Sequence, residues 1–202
     1  LKGNKYRAVI TGYSTEGDGV ARVEGMAVFV KGALRGEDVE LTVEHVGHSA
    51  AWARVNRLLT PSPARQAPDC PYYLQCGGCR FRHMSYAEEL EAKRQRVQDA
   101  LARIGGSDVR VAVIHGAEDT ERYRNKVQFP VGAGGIGYYQ GGTHKVIDIA
   151  DCLLQPEADT AARSAVKGWM EAFRIPAYDE RSGKGLLRHL YLRTNRAGEV
   201  LC

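Results

Sequence analysis

The sequence predicts a mostly β N-terminal part followed by an α+β part, joined by a short linker. Three observations carry that reading: alternating strands broken by glycine before residue 60, a proline-rich stretch at 60–69, and two helices among further strands beyond it. The expected boundaries are a small OB-like β-barrel at 1–60, a linker at 61–69, and an α+β domain at 70–202.

The N-terminal strands are "KYRAVITGYS", "GVARVEGMAVFVKG", "DVELTVEHVG" and "AAWARVNRLL". Val39, Leu41 and Val43 alternate with Glu40, Thr42 and Glu44, the period-two pattern of a half-buried strand. Turns such as "EGDG" and "RGED" separate strands short enough to close a small barrel. "TPSPARQAPD" holds three prolines and no periodicity, which predicts a linker. Ser85 and Glu88 in "SYAE" form a capping box. The helix it opens places Tyr86, Leu90, Val97, Leu101 and Ile104 on one face and stops at Gly105-Gly106. "VRVAVIHG", "RYRNKVQFPVG" and "GIGYYQGGTHKVIDI" read as strands, the last with a Gly141-Gly142 hairpin turn. Pro156 suits the first turn of a second helix, with Ala162, Val166, Trp169 and Phe173 inward. "LLRHLYLRTNRAGEVLC" resumes strand character and ends on "EVLC" in mid-strand, as a cut chain would.

The hydrophobic fraction of 44% and charged fraction of 26% are those of an ordinary globular chain. No apolar run is long enough to cross a membrane, and "LKGNKYRAVI" lacks the apolar stretch of a signal peptide. The expectation is a cytoplasmic protein with no membrane partner, whose thiols meet a reducing environment. There, clustered cysteines bind metal more often than they form disulfides. The missing initiator Met fits a processed or trimmed start. A net charge of +4 permits a nucleic-acid partner without demanding one.

"DCPYYLQCGGCRFRH" places Cys70, Cys76 and Cys79 within ten positions, a C-x5-C-x2-C pattern, and Cys152 follows in "IADCLLQP". Iron–sulfur clusters take four thiolates, often three local and one remote. Gly77 and Gly78 let the backbone turn closely around a bulky group. Zinc would use the same four thiolates, although zinc knuckles usually pair two C-x2-C elements. A Cys76/Cys79 redox pair leaves Cys70 unexplained, and His83 could replace Cys152 as the fourth ligand. Cys202, in an apolar run, reads as a small buried hydrophobe.

In "ERYRNKVQF", Arg122, Arg124 and Lys126 alternate, so a strand puts all three on one face at about 7 Å intervals. That interval suits the phosphates of an extended nucleic-acid strand. The competing reading is a solvated face balanced by Glu118, Asp119 and Glu121. Arg80 and Arg82 beside the cysteines could contact RNA or offset the charge of a thiolate-ligated cluster. Lys31 and Arg35, near "VKGALRGED", could line a nucleic-acid surface. Tyr138 and Tyr139 could stack on bases or pack in the core.

Together the N-terminal barrel, "CGGC" with its upstream cysteine, "YRNKVQF" and "DCLLQP" resemble the RNA (uracil-5-)-methyltransferases that carry an iron–sulfur cluster. The nearest type is the large-subunit ribosomal RNA enzyme with an N-terminal TRAM domain, and the resemblance spans nearly the whole chain. It implies a [4Fe–4S] cluster on Cys70, Cys76, Cys79 and Cys152, RNA contacts in "YRNK", and a TRAM barrel that grips RNA. In that family a C-terminal Rossmann-like domain binds S-adenosylmethionine, and a cysteine there attacks C6 of a flipped-out uracil so that C5 takes the methyl group. After Cys152 this chain shows no Gly-rich strand-to-helix turn. No catalytic or S-adenosylmethionine-binding residue is therefore expected in it, and that cofactor belongs to a domain outside it.

The expected function is the RNA-recognition and iron–sulfur portion of an S-adenosylmethionine-dependent methyltransferase making 5-methyluridine, in 23S ribosomal RNA first and transfer RNA second. The cluster's expected role is architectural, with redox work the alternative. The rival functions are a stand-alone, non-enzymatic nucleic-acid-binding module and a zinc-binding protein.

Overall fold

A computed structural model describes Leu1–Cys202. The chain divides into two compact units. The first comprises Leu1–Asp69 and Arg80–Gly116, the second Cys70–Cys79 and Ala117–Cys202.

Six strands build the first unit's sheet: β1 (Lys5–Val9), β2 (Gly12–Tyr13), β3 (Gly19–Val23), β4 (Met26–Lys31), β5 (Asp38–Val46) and β6 (Ala50–Thr60). Their order is β1-β5-β6-β4-β3-β2, antiparallel except for the parallel β4–β6 pair. The sheet curls until β1 packs against β3. Ile10, between β1 and β2, joins inward residues of the longer strands, including Ala21, Val28, Val30, Val39, Leu41 and Val43, in one buried cluster. The expected alternation in β5 thus holds residue by residue. Between β3 and β4, Val23 pairs with Met26 across Glu24 (φ 50°) and Gly25 (φ 82°), a two-residue turn of the handedness that suits twisted strands.

The proline-rich stretch is not a free linker, which corrects the expected 61–69 boundary. Glu37 is fully buried, and its carboxylate accepts from the Leu34 and Ser62 N–H groups at 2.8 and 3.3 Å and from Arg65 Nε at 2.5 Å. Burial alone would raise the Glu37 pKa, but Arg65 and the two N–H donors outweigh it and hold the carboxyl below its ordinary range. Residues 80–85 join the same region. The Gln66 N–H donates to His83 O, the Ser85 N–H to Ala64 O, and Met84 is buried. His83 is buried there as well, and its burial, with Arg65 nearby, disfavours protonation.

Ser85 caps α1 (Tyr86–Arg103) by accepting from the Glu88 N–H at 3.4 Å. The expected capping box is only half formed, because the Glu88 carboxylate turns to Tyr13 Oη at 2.7 Å and Arg35 at 3.0 Å. The helix therefore belongs to the barrel unit and not to the cysteine-bearing domain. The expected apolar face of α1 is only partly buried: Tyr86, Leu90 and Leu101 are half-buried, whereas Val97 is 51% exposed and Ile104 88%. "VRVAVIHG" is likewise no strand. The Gln98 amide takes the place of a strand partner, donating to Val109 O at 3.0 Å and accepting from the Val111 N–H at 2.9 Å.

The second unit is α+β, as expected. Its strands are β7 (Lys126–Gly132), β8 (Gly135–Tyr139), β9 (Val146–Asp148), β10 (His189–Thr194) and β11 (Val200–Leu201), in the antiparallel order β11-β10-β7-β8-β9. Gly141 and Gly142 sit in the β8–β9 turn, where the Thr143 N–H donates to Gln140 O. Pro156 immediately precedes α2 (Glu157–Ala172). Ala162, Val166 and Met170 of α2 pack on Val127, Phe129, Leu190 and Leu192. Trp169 and Phe173, expected inward, are exposed, and Met170 fills the place instead. Cys202 is exposed as well, contrary to the buried reading.

Candidate metal centre

Cys70, Cys76, Cys79 and Cys152 line a single cleft in the second unit, all four half-buried and none in a disulfide. Two separate segments bring them there. In the first, consecutive turns run from Cys70 to Cys76: the Tyr73 N–H donates to Cys70 O, and the Gln75 and Cys76 N–H groups donate to Tyr72 O. Cys76 then pairs with Gln140 in a short antiparallel bridge, flanked by Gly77 N–H to Tyr139 O at 3.0 Å and Gly141 N–H to Gln75 O at 3.1 Å. The segment is thus laid along the β8–β9 turn. Glycine at 77 serves that close approach, since a Cβ there would lie 3.2 Å from Gly141 Cα and 3.3 Å from Tyr139 O. Glycine at 78 faces a thiol, and its N–H donates to Cys76 Sγ at 3.3 Å. The role expected of Gly77 is to make room for a bulky bound group, but its close neighbour is the backbone of the β8–β9 turn.

Arg122 fixes the second segment. Its guanidinium grips Asp151 at 2.8 and 2.7 Å and donates to the carbonyls of Cys152 at 3.2 Å and Gln155 at 2.9 Å. The Arg122 and Arg124 N–H groups donate to Leu153 O and Leu154 O. Across the cleft, Tyr72 Oη accepts from the Ala150 N–H at 2.9 Å, which ties the two cysteine segments together. The hydrogen bond to Arg122 is the chief cause holding the Asp151 carboxyl below its ordinary range, and the same bond raises the guanidinium's pKa.

The strand reading of "RYRNK" needs correction. β7 begins only at Lys126, and Arg122 stands at φ 55°, outside the strand region. Arg122 is committed to Asp151, and Arg124 lines the cysteine cleft beside Tyr138. Burial works against the charge of Arg124, while Tyr123 and Tyr138 favour it and the net shift is upward. The cleft therefore holds a fixed cation facing thiols. Of the three residues only Lys126 sits on the strand, exposed. Tyr138 follows its core reading: its ring packs on Phe129, and its hydroxyl accepts from the buried Gln155 amide. Tyr139 stacks on His144.

The other expected RNA-contacting cations divide as well. Arg82 pairs with Asp69 through two bonds of 2.6 Å, and Arg35 pairs with Glu88, so neither is the free cation that the sequence suggests. Lys31 ends β4 exposed. Arg80 is exposed.

The donor set fits a thiolate-bound group. Besides the four thiols, the one carboxylate on the cleft is Asp151, already taken by Arg122. Burial raises the Cys76 pKa first, and the neighbouring Cys152 and Cys70 raise it further against the pull of the Gly78 N–H. Those causes favour the neutral thiol at Cys76, and a bound cation would be needed to draw it into the thiolate form.

Residues 1–54 match the TRAM domain family. The whole chain is 41% identical over 205 residues to an uncharacterized RNA methyltransferase of Clostridium tetani, a match covering 99% of this chain and 45% of the relative. A similarly named protein of Caldanaerobacter subterraneus subsp. tengcongensis is 40% identical, covering 98% and 45%. Among solved structures, the tRNA (uracil-54, C5)-methyltransferase of Pyrococcus abyssi, in complex with S-adenosyl-L-homocysteine, superposes with a TM-score of 0.71 at 25% identity, over 96% of this chain and 44% of that one. The chain thus spans less than half the length of these relatives.

Proposed function

We propose that this chain is the RNA-binding and iron–sulfur portion of a cytoplasmic, S-adenosylmethionine-dependent RNA (uracil-5-)-methyltransferase. The observation that carries the reading is the meeting of Cys152 with Cys70, Cys76 and Cys79 on one cleft, in a chain whose first 54 residues match the TRAM domain family. Those four thiolates would hold a [4Fe–4S] cluster. Bound there, the cluster would supply four metal–thiolate links between a segment with little apolar core and the loop before α2. That role is architectural. Arg124 supplies a cation toward the anionic sulfurs, and Arg122 with Asp151 orients the loop that carries Cys152.

Methyl transfer to uracil C5 and S-adenosylmethionine binding are assigned to the longer protein of which the relatives are examples. The substrate in this reading is 23S ribosomal RNA. Transfer RNA is the second reading, favoured by the Pyrococcus neighbour, whose name specifies a tRNA uracil. The test is transfer of a labelled methyl group by the natural gene product to 23S ribosomal RNA and to bulk transfer RNA, with nucleoside analysis. Label recovered as 5-methyluridine from ribosomal RNA alone is the expected outcome. Label in transfer RNA alone selects the second reading, and label in neither removes the methyltransferase assignment.

A further inference from the structure

The sheet of the second unit has two unlike faces. One packs beneath α2 through Val127, Phe129, Leu190 and Leu192. The other turns Lys126 and Gln128 of β7 and Tyr191 and Arg193 of β10 outward. Their register places Lys126 directly opposite Arg193 and Gln128 opposite Tyr191, so the four side chains form one contiguous patch. Lys126 Nζ stands 6.0 Å from the centre of the Tyr191 ring, and Tyr191 is 44% exposed. On its other side Arg193 faces Leu201 of β11, so no carboxylate stands in register with either cation.

Like charges directly opposite one another on adjacent strands destabilise a sheet. Folding alone therefore gives no reason to pair Lys126 with Arg193, whereas a polyanion across the face would turn the repulsion into attraction. An exposed tyrosine on a flat sheet offers a base a stacking surface, and the Gln128 amide beside it can both donate to and accept from a base edge.

We infer that this face of β7 and β10 is a single-stranded RNA platform, with a base stacked on Tyr191 and the flanking phosphates held by Lys126 and Arg193. The inference rests on the reading of the chain as RNA-binding and adds a second surface to the TRAM barrel.

The test is binding of a short labelled oligouridine to the anaerobically prepared chain over a series of salt concentrations. Tyr191→Ala should weaken binding roughly fivefold or more, the loss expected for one stacked base, while Tyr191→Phe keeps the ring and the affinity. The double variant Lys126→Gln, Arg193→Gln should flatten the slope of log affinity against log salt by about 1.4, or about 0.7 for each phosphate no longer neutralised. All these positions are exposed, and the double variant carries the test on its own if Tyr191→Ala fails to fold. Wild-type binding with unchanged affinity and slope in the variants would overturn the platform and leave the RNA reading standing on the TRAM barrel. An equal loss in Tyr191→Phe and Tyr191→Ala would remove the stacking. A wild-type chain that binds neither the oligouridine nor a 23S ribosomal RNA fragment would overturn the RNA reading, and the platform with it.

Discussion

The barrel unit and the cysteine segment are held in opposite ways. In the barrel, a dozen buried apolar side chains from strands of one sheet close on each other, with Ile10, Val28, Val30, Leu41 and Val43 almost wholly removed from water. Burial at about 25 cal/mol per Å² makes such a cluster self-sufficient. Residues 70–79 bury no hydrophobic side chain. What fastens them is a short bridge at Cys76, the Tyr72 hydroxyl on Ala150, and the four thiols. Each neutral hydrogen bond contributes only about 1 kcal/mol net, so under the proposed function the thiolate-bound cluster decides whether that segment stays in place. In the proposed reading the barrel is stabilised by its own apolar core alone, whereas the cysteine segment of the second unit depends on a thiolate-bound cluster as well.

That contrast can be broken by mutation, and the largest effect should fall on the barrel. Leu41→Ala removes a fully buried side chain from the centre of its core and should cost about 2–5 kcal/mol. In a melting experiment the barrel transition falls while iron content per chain stays at the wild-type value. Loss of iron in Leu41→Ala would show that the two units are not stabilised separately.

Glu37→Ala should cost about 3 kcal/mol, because Arg65 loses its buried partner and two N–H donors lose their acceptor. The folded pKa of Glu37 is depressed, so its contribution is present above the unfolded value of about 4.3 and lost as pH falls through the lower folded value. Acid titration of the wild type should therefore lower the barrel's stability below about pH 4, and Glu37→Gln should remove part of that dependence. An unaltered acid limb in Glu37→Gln would assign it to other carboxylates.

Arg122→Ala should have the smallest effect on stability, no more than about 1 kcal/mol, since the ion pair with Asp151 is more than a third exposed. Its expected signature is kinetic. The Cys152 loop loses three fastenings at once, and iron should leave to a chelator faster than from the wild type while the barrel melts as before. Arg122→Lys should not restore the wild-type rate, because an ammonium cannot reproduce the bidentate grip on Asp151. Full restoration by lysine would reduce Arg122 to a point charge.

Much of this organisation is legible in the sequence, and the misreadings have local causes. The β5 alternation is a short-range pattern and folds as it reads, whereas the Glu24-Gly25 turn splits the expected "GVARVEGMAVFVKG" strand into β3 and β4. The cysteines are legible because three stand together and the fourth has few competitors. "RYRNK" misleads because its alternation imitates a strand. What overrides it is the long-range Arg122–Asp151 pair, which nothing within a few residues announces. The α1 face misleads for the opposite reason. Val97 and Ile104 keep the helical period, but no element packs over them. The Lys126–Arg193 patch joins residues 67 positions apart, and only the β7–β10 register brings them together.

The most direct test of the central claim is iron and acid-labile sulfide per chain in anaerobically purified wild type and Cys152→Ser. The account predicts about four of each in the wild type, in keeping with a [4Fe–4S] cluster, and loss of the cluster in the variant while the barrel still melts cooperatively. Full iron retention in Cys152→Ser, or a colourless wild type holding zinc, would contradict it.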